Sequence, residues 1–300
     1  MAVAGPFTDE PRFMNTRTDA APPHAEFFPA LASPGPISRW SAVLREDRAQ
    51  LTRFWPVIRN MVVQDLRVKY QRSVLGFFWT LLNPILMMIT LTAVFSQLMG
   101  QNWKEYACYL FAGLVPWALL ASSLNDCAFC IIGNEGLIRK IYIPKLVFPL
   151  TRLLINLTTF ILSLVALFLF LVPLGAHASA PMLVLPLVVV LYSAFVLGLG
   201  LIVATMNTFY RDCSHLVTVF LQALYFATPI MYEAKDFTRW KWLTDYNPIF
   251  AFLHLFQEII RYSRWPSAGS FLAAAGIAAA SLGVGYVAFK LNEDKFVFRL

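Results

Sequence analysis

The sequence has 300 residues, of which 58% are hydrophobic and 14% charged, and its formal net charge is +7. A soluble globular domain has fewer apolar and more charged residues, so this composition excludes one. The apolar residues also cluster in long uncharged runs, and a helix needs about 20 apolar residues to cross the hydrocarbon layer of a bilayer. The composition therefore predicts a polytopic membrane protein.

The first 36 residues contain seven of the eighteen prolines and scattered charges, without the apolar run of a signal peptide. We expect a disordered cytoplasmic tail there. From Ser38 to Ser73 the chain is basic, and apolar residues recur every four positions, at Ile58, Val62, Leu66 and Tyr70, whereas Arg59, Arg67, Lys69 and Arg72 take other faces. This pattern predicts an amphipathic interface helix within residues 37–76, with an ordinary surface helix as the alternative.

Six runs with few or no charges follow, and each predicts a membrane-spanning helix. They cover about 77–99, 106–132, 146–173, 182–207, 213–232 and 271–289. The fifth is the least regular, because Thr228 and Pro229 interrupt its far end. The second contains Asp126, and the third contains Arg152 near one end, where an arginine side chain can snorkel to the headgroups. The predicted fold is therefore an all-α membrane domain over residues 77–300.

The distribution of basic residues predicts the orientation of these spans. If the N-terminus is cytoplasmic, seventeen Lys and Arg residues lie in cytoplasmic segments and six in outer segments. The positive-inside rule therefore predicts that both termini are cytoplasmic. Most of the net charge then reflects orientation, so that no nucleic-acid partner is needed to explain it.

The predicted cytoplasmic connection at 133–145 has the sequence GNEGLIRKIYIPK. Asn134 stands where a helix N-cap is expected, and Ile138 and Ile141 then lie beside Arg139 and Lys140. Exposed apolar residues on such a connection indicate either a docking surface for a partner or a plain loop held at the lipid headgroups by its basic residues.

The predicted outer connection at 233–270 contains a second helical pattern. Asn247 and Pro248 read as N-cap and first helical residue. One apolar stripe follows, formed by Phe252, Leu253, Phe256, Ile259 and Ile260, while Glu258 and Arg261 lie on another face. The helix is too short to span a bilayer. It is either a surface helix within an aromatic belt or a re-entrant gate.

The sequence shows no acid and base constellation of an enzyme, and its four histidines lack metal-ligand spacing. Cys127 and Cys130 have no second ligand pair nearby and read as small buried hydrophobes. No GxxxxGK[ST] phosphate loop occurs, so we expect energy to come from another polypeptide, and we expect no cofactor or metal in this chain. Aromatic residues form 15% of the sequence, which suits either stacking on sugars or contact with lipid.

Four segments resemble, in order, the membrane subunits of type-2 ATP-binding-cassette (ABC) exporters of polysaccharides. They are DLRVKYQRSVLGFFWTLLNPILMM at 65–88, NEGLIRKIYIPK at 134–145, FYRDCSHLV at 209–217 with TPIMY at 228–232, and NPIFAFLHLFQEIIR at 247–261. The ordered set covers roughly residues 55–300 and leaves the proline-rich tail outside. Capsule and teichoic-acid exporters belong to the same group as exporters of O-antigen.

The resemblance implies a homodimer in the bacterial inner membrane, bound to two cytoplasmic ABC ATPase subunits that hold ATP and Mg²⁺. It implies a lipid-linked, O-antigen-like glycan as substrate. An ABC permease for lipids or drugs is the first alternative, and a membrane enzyme of lipid-linked sugar metabolism is the second.

The resemblance also implies roles for individual residues. A coupling helix at 134–145 would contact the ATPase through Asn134, Glu135, Leu137, Ile138, Arg139, Lys140 and Ile141. An interface helix at about 54–73 would attract the diphosphate of the lipid carrier through Arg67, Lys69, Tyr70 and Arg72. Outer gate helices at 237–262 would include Asn247, Phe252, Phe256, Glu258 and Arg261.

Overall fold

The computed structural model describes residues 36–71, 78–171, 179–232 and 246–300, together with residues 73, 75 and 76. Within these residues every regular element is a helix, which confirms the all-α membrane fold. Residues 48–300 form one compact unit and residues 1–47 belong to another, so the packing that follows is that of 48–300. The predicted tail lies almost entirely outside the described residues.

The α-helices are numbered in chain order. They are α1 (Pro36–Arg53), α2 (Trp55–Tyr70), α3 (Phe78–Leu98), α4 (Trp103–Phe129), α5 (Glu135–Ile138), α6 (Val147–Leu171), α7 (Leu185–Phe209), α8 (Cys213–Ala227), α9 (Pro248–Ile260) and α10 (Ala268–Asn292). Short 3₁₀ helices cover Ile132–Asn134, Ala180–Val184 and Glu293–Phe298. Helices α3, α4, α6, α7 and α10 correspond to the first, second, third, fourth and sixth predicted spans, and 5 helices in the described part are long and apolar enough to cross a membrane.

The fifth predicted span is only partly helical. Helix α8 has 15 residues and is therefore about 22 Å long, less than the roughly 30 Å of a bilayer core. The helix ends at Ala227 because Pro229 lacks an N–H and disfavours helical backbone at the preceding residue, Thr228, which is extended with φ −100° and ψ 132°. A sixth crossing of the membrane thus stays a prediction.

Helix α4 lies at the centre of the fold and packs against α3, α6, α7, α8 and α9. Its largest fully buried side chains include Tyr106, Phe111 and Leu120. Helix α3 is placed differently, since few of its described side chains are buried and it packs mainly on α4 and α6. One face of α3 is therefore left for lipid or for another protein.

Helices α7 and α10 approach each other so closely that their backbones touch. A Cβ atom added at Gly285 would lie 2.1 Å from the carbonyl oxygen of Gly198, and one added at Gly198 would lie 2.3 Å from the carbonyl carbon of Ser281. The Ser281 hydroxyl donates a hydrogen bond to the Phe195 carbonyl at 2.9 Å. Small residues permit such contacts between membrane helices, whose association relies on close packing instead of hydrophobicity.

The predicted interface helix consists of two helices, α1 and α2, because the helical conformation is interrupted at Phe54. The amphipathic pattern of α2 is confirmed: Ile58 is buried, Val62 and Leu66 are half-buried, and Arg59 and Arg67 are exposed. The apolar face of α2 packs against α6. The side chain of Tyr70 and the whole of Arg72 lie outside the described residues.

Candidate functional site

Two regions at opposite ends of the helices contain the predicted site residues. We call the end formed by the 130–146 connection the loop end. We call the region of the non-helical residues 228–232 and helix α9 the turn end. Each is built by contacts between segments far apart in the sequence.

The predicted coupling helix is shorter than expected. The 3₁₀ turn Ile132–Asn134 runs directly into α5, which has 4 residues. Asn134 occupies the N-cap position but its side-chain oxygen accepts no capping hydrogen bond, and its Nδ2 atom donates to the Cys130 carbonyl at 2.7 Å. Residues 142–144 have no regular secondary structure, since Pro144 cannot continue a helix and disfavours helical backbone before it.

The exposed side of the 130–146 connection is basic and apolar. Leu137 and Ile138 are half-buried and pack against a core cluster at the loop end, so Ile138 is less exposed than expected, and its docking role stays a prediction. Arg139, Lys140 and Ile141 are exposed, and Arg139 forms an ion pair with Glu135 at 2.8 Å. Tyr142, which sequence reasoning missed, is 76% exposed.

The base of this connection is fixed to the end of α10. The Lys145 ammonium donates to the Glu293 carbonyl at 2.7 Å, and the Glu293 carboxylate pairs with Lys290 at 2.7 Å. Phe296 is fully buried beside Phe289, at a ring distance of 5.1 Å. Hydrogen bonds and aromatic packing thus attach the end of the connection to the C-terminal segment.

Polar side chains join the helices just inside the loop end. Arg152 of α6, which the sequence suggested could snorkel, donates to Asp65 of α2 at 2.6 Å. Asn156, one turn further along α6, donates to Asp126 of α4 at 2.7 Å. Asn207 of α7 donates to the Ala128 carbonyl at 2.7 Å. The sequence identified Arg152 and Asp126 as charged residues within predicted spans, but it did not identify their partners Asp65 and Asn156.

The predicted interface residues Arg67 and Lys69 are exposed in the last turn of α2. Their charges interact favourably with the C-terminal end of the helix dipole. Both side chains lie on the outside of the unit, where an anionic headgroup can approach them. Their role at a substrate entrance stays a prediction.

At the turn end, two tyrosines of α4 hold the non-helical backbone that follows α8. The Tyr106 hydroxyl donates to the Met231 carbonyl at 2.6 Å. The Tyr109 hydroxyl donates to the carbonyls of Pro229, at 3.1 Å, and Tyr232. These bonds satisfy carbonyl groups that have no helical partner, which irregular backbone needs inside a membrane protein.

Asn247 links this backbone to α9 and confirms the predicted N-cap. Its side-chain oxygen accepts from the backbone N–H groups of Ile249 at 3.0 Å and Phe250 at 3.4 Å. Its Nδ2 atom donates to the Thr228 hydroxyl at 3.0 Å. Pro248 is the first helical residue, as predicted.

Helix α9 is embedded among the other helices, so the surface-helix alternative is wrong. Phe252 and Phe256 are fully buried, and their rings lie 5.2 and 5.6 Å from the ring of Tyr192 in α7. The Arg261 guanidinium lies 4.8 Å from the centre of the Tyr109 ring, and Glu258 lies 3.8 Å from His254. Eight of its 13 residues are buried, so this helix, which is too short to span a bilayer, is held by packing against its neighbours.

A cavity of about 350 Å³ lies between α3, α4 and α6. Its lining combines apolar side chains with the polar residues Asn83, Ser122, Asn156, Thr159 and Ser163. Cavities of this volume hold small molecules.

Comparison with known proteins assigns residues 56–260 to the family described as ABC-2 type transporter. The O-antigen export system permease protein RfbA of Myxococcus xanthus is 28% identical over 250 residues, which cover 82% of this chain and 96% of that protein. A protein of the same name from Klebsiella pneumoniae is 29% identical over 198 residues, 65% of this chain and 76% of that protein. The polysialic acid transport protein KpsM of Escherichia coli is 21% identical over 208 residues, 68% of this chain and 80% of that protein.

Proposed function

The chain belongs to the ABC-2 type transporter family, and on that premise we propose that it is the permease subunit of an ATP-driven exporter of lipid-linked, O-antigen-like polysaccharide. The observation that carries the proposal is the similarity to permeases named for O-antigen export, which extends over 82% of the chain. The similarity to a polysialic acid transport protein supports polysaccharide as the substrate class. The names of these relatives support the role of a transport subunit.

We place the loop end on the cytoplasmic side of the bacterial inner membrane. The excess of Lys and Arg in the loop-end segments supports this orientation. Arg67, Lys69, Arg139 and Lys140 are then close to the anionic cytoplasmic leaflet. The turn end faces the opposite side, where the polysaccharide leaves.

We propose that separate ABC ATPase subunits, which bind ATP and Mg²⁺, dock on the exposed side of the 130–146 connection. Arg139, Lys140, Ile141 and Tyr142 offer a basic and apolar surface, and Arg and Tyr are residue types enriched at protein interfaces. The fixed base at Lys145 supports this role, since a displacement of the connection reaches the helices only if its ends are anchored. Closure of the ATPase subunits would then move the helices of the permease.

We propose that two copies of the chain enclose the path of the polysaccharide. The cavity of about 350 Å³ within one copy is too small for a glycan chain. Helices α3 and α8 expose apolar side chains such as Val94, Phe220 and Phe226, which suits contact with a second copy or with lipid. Helix α9 and residues 228–232 would control the exit.

The proposal is tested in a strain that lacks this gene, complemented with the full chain and its variants. We expect the chain to restore polysaccharide at the cell surface and to copurify with an ABC ATPase. We expect Ile141→Asp to abolish stimulation of ATP hydrolysis while the protein still inserts into the membrane. Ile141 is a better test position than Ile138, which contributes to packing.

The matched control is Trp265→Asp, which places the same charge at an exposed aromatic residue shortly after helix α9. This variant should associate with the ATPase like the wild type. A chain that never associates with an ABC ATPase contradicts the proposal, and so does unchanged surface polysaccharide in the deletion strain. Full coupling in Ile141→Asp contradicts the docking surface alone.

A further inference from the structure

Charged and amide side chains from three helices meet just inside the loop end. Asp65 lies on α2, Arg152 and Asn156 lie on α6, and Asp126 lies on α4. The Arg152 guanidinium donates to the Asp65 carboxylate at 2.6 Å, and Asn156 donates both to the Asp126 carboxylate at 2.7 Å and to the Arg152 carbonyl at 3.2 Å. We call these four residues the polar clamp.

Two residues of the polar clamp are ionisable groups near the ends of apolar helices. Arg152 and Asp126 both belong to helices long and apolar enough to span a membrane, and ionisable residues in such segments are usually retained for a function. The side chains of Arg152 and Asp65 are only 30% and 37% exposed, so their ion pair is partly shielded from water. A hydrogen bond between two ionised groups is also stronger than one between neutral groups.

The clamp joins the helices on either side of the 130–146 connection. Helix α4 ends at Phe129, immediately before the connection, and α6 begins at Val147, immediately after it. The Asn156–Asp126 bond fixes α4 to α6, and the Arg152–Asp65 bond fixes α6 to α2. A push on the connection therefore moves all three helices together instead of bending one of them.

We propose that the polar clamp transmits displacement of the 130–146 connection to α2, α4 and α6, with Arg152 as its central positioning residue. The inference rests on the proposed function and adds to it the path by which ATP hydrolysis is coupled to export. A purely structural role for the clamp predicts lower stability with an unchanged yield of export per ATP. The coupling role predicts that the complex still assembles and hydrolyses ATP but exports less polysaccharide per ATP.

The test measures surface polysaccharide in the complemented deletion strain and ATP hydrolysis by the purified complex in vesicles of phosphatidylethanolamine and phosphatidylglycerol. Export per ATP is the ratio of the first quantity to the second for the same variant, relative to the wild type. Arg152→Gln and Asp65→Asn each remove one charge of the pair. We expect both variants to hydrolyse ATP, and we expect export per ATP to fall about ten-fold, which lies within the usual range of coupling between sites.

The decisive variant exchanges the charges, with Asp65→Arg and Arg152→Asp in one chain. It restores the ion pair in reverse, so export per ATP should recover well above that of either single variant. The matched control is Arg59→Gln, which removes an exposed arginine from the same helix as Asp65 and should leave export per ATP unchanged.

Each outcome decides the inference. Single variants that export like Arg59→Gln overturn it, and so does an exchange variant no better than the single variants. If one single variant fails to assemble, export per ATP of the other single variant decides, because rescue of assembly by the exchange variant is also expected of a purely structural ion pair. A wild-type complex that hydrolyses ATP but exports no polysaccharide is instead a failure of the proposed function, and it is detected before any variant is compared.

Discussion

Gly285→Ala should destabilise the protein although it adds a single methyl group. The added Cβ atom would lie 2.1 Å from the Gly198 carbonyl oxygen, 2.8 Å from its carbonyl carbon and 2.9 Å from its Cα atom. Non-bonded carbon atoms pack best about 3.5–4.0 Å apart. All three neighbours are backbone atoms that no side-chain rotation can move, so α7 and α10 must separate.

The size of the effect follows from two opposing contributions. Overpacking usually costs about 1–3 kcal/mol, and the backbone contact puts this site near the upper value. Replacing glycine by alanine in a helix otherwise stabilises it by about 1 kcal/mol. Gly283 lies on the same helix, and a Cβ atom added there would have no heavy atom within 4 Å, so Gly283→Ala carries the second contribution only.

The two variants should therefore differ by about 3 kcal/mol in the free energy of unfolding, or roughly 6–12 °C in Tm. Intrinsic tryptophan fluorescence of the detergent-purified chain during heating measures the difference. Gly283→Ala should melt at or above the wild-type temperature, and Gly285→Ala clearly below it. Equal Tm values for the two variants would refute the backbone contact between α7 and α10.

Two further variants test the ends of the helices by the same measurement. Asn247→Ala removes the cap of α9 and its bond to Thr228, and should lower stability by about 1–2 kcal/mol; Ser267→Ala, which removes the exposed cap of α10, is the comparison and should cost less. Asn207→Ala leaves the Ala128 carbonyl and the Ser214 N–H without their side-chain partner at buried positions, and should cost about 2 kcal/mol. An Asn247→Ala protein as stable as the wild type would contradict the embedded position of α9.

The long helices were predictable because uncharged runs of sufficient length have few alternatives to a membrane-spanning helix. The first predicted span, 77–99, differs from α3 (Phe78–Leu98) by one residue at each end. At the fifth span hydropathy overestimated the length of the helix, since it registers the apolar character of residues 228–232 and not their backbone. Pro229 was the available signal, and it marked the end of the helix correctly.

Side-chain partners far apart in the sequence were beyond prediction. Asp65 and Arg152 are 87 residues apart, and the periodicity of either segment does not identify the other. The same holds for Tyr109, which holds residues 229 and 232 from another helix. Local signals such as the Asn247–Pro248 cap were readable, because both the cap and the groups it satisfies lie within a few residues.

The aromatic content also has a plainer explanation than its interpretation as a surface for sugars. Tyr192, Phe195, Phe252 and Phe256 are buried and pack against each other, with the rings of Phe195 and Phe252 only 4.9 Å apart. These rings fill the space around the embedded helix α9. Composition alone does not separate such a core from rings that line a path.

The final 3₁₀ turn, Glu293–Phe298, has a practical consequence for handling the protein. Phe296 contacts the rings of Phe209 and Phe289, and Glu293 holds Lys145 at the base of the 130–146 connection. Truncation after Asn292 would expose that aromatic cluster and release the connection in one step. An affinity tag is therefore better attached beyond Leu300 through a flexible spacer than in place of the last residues.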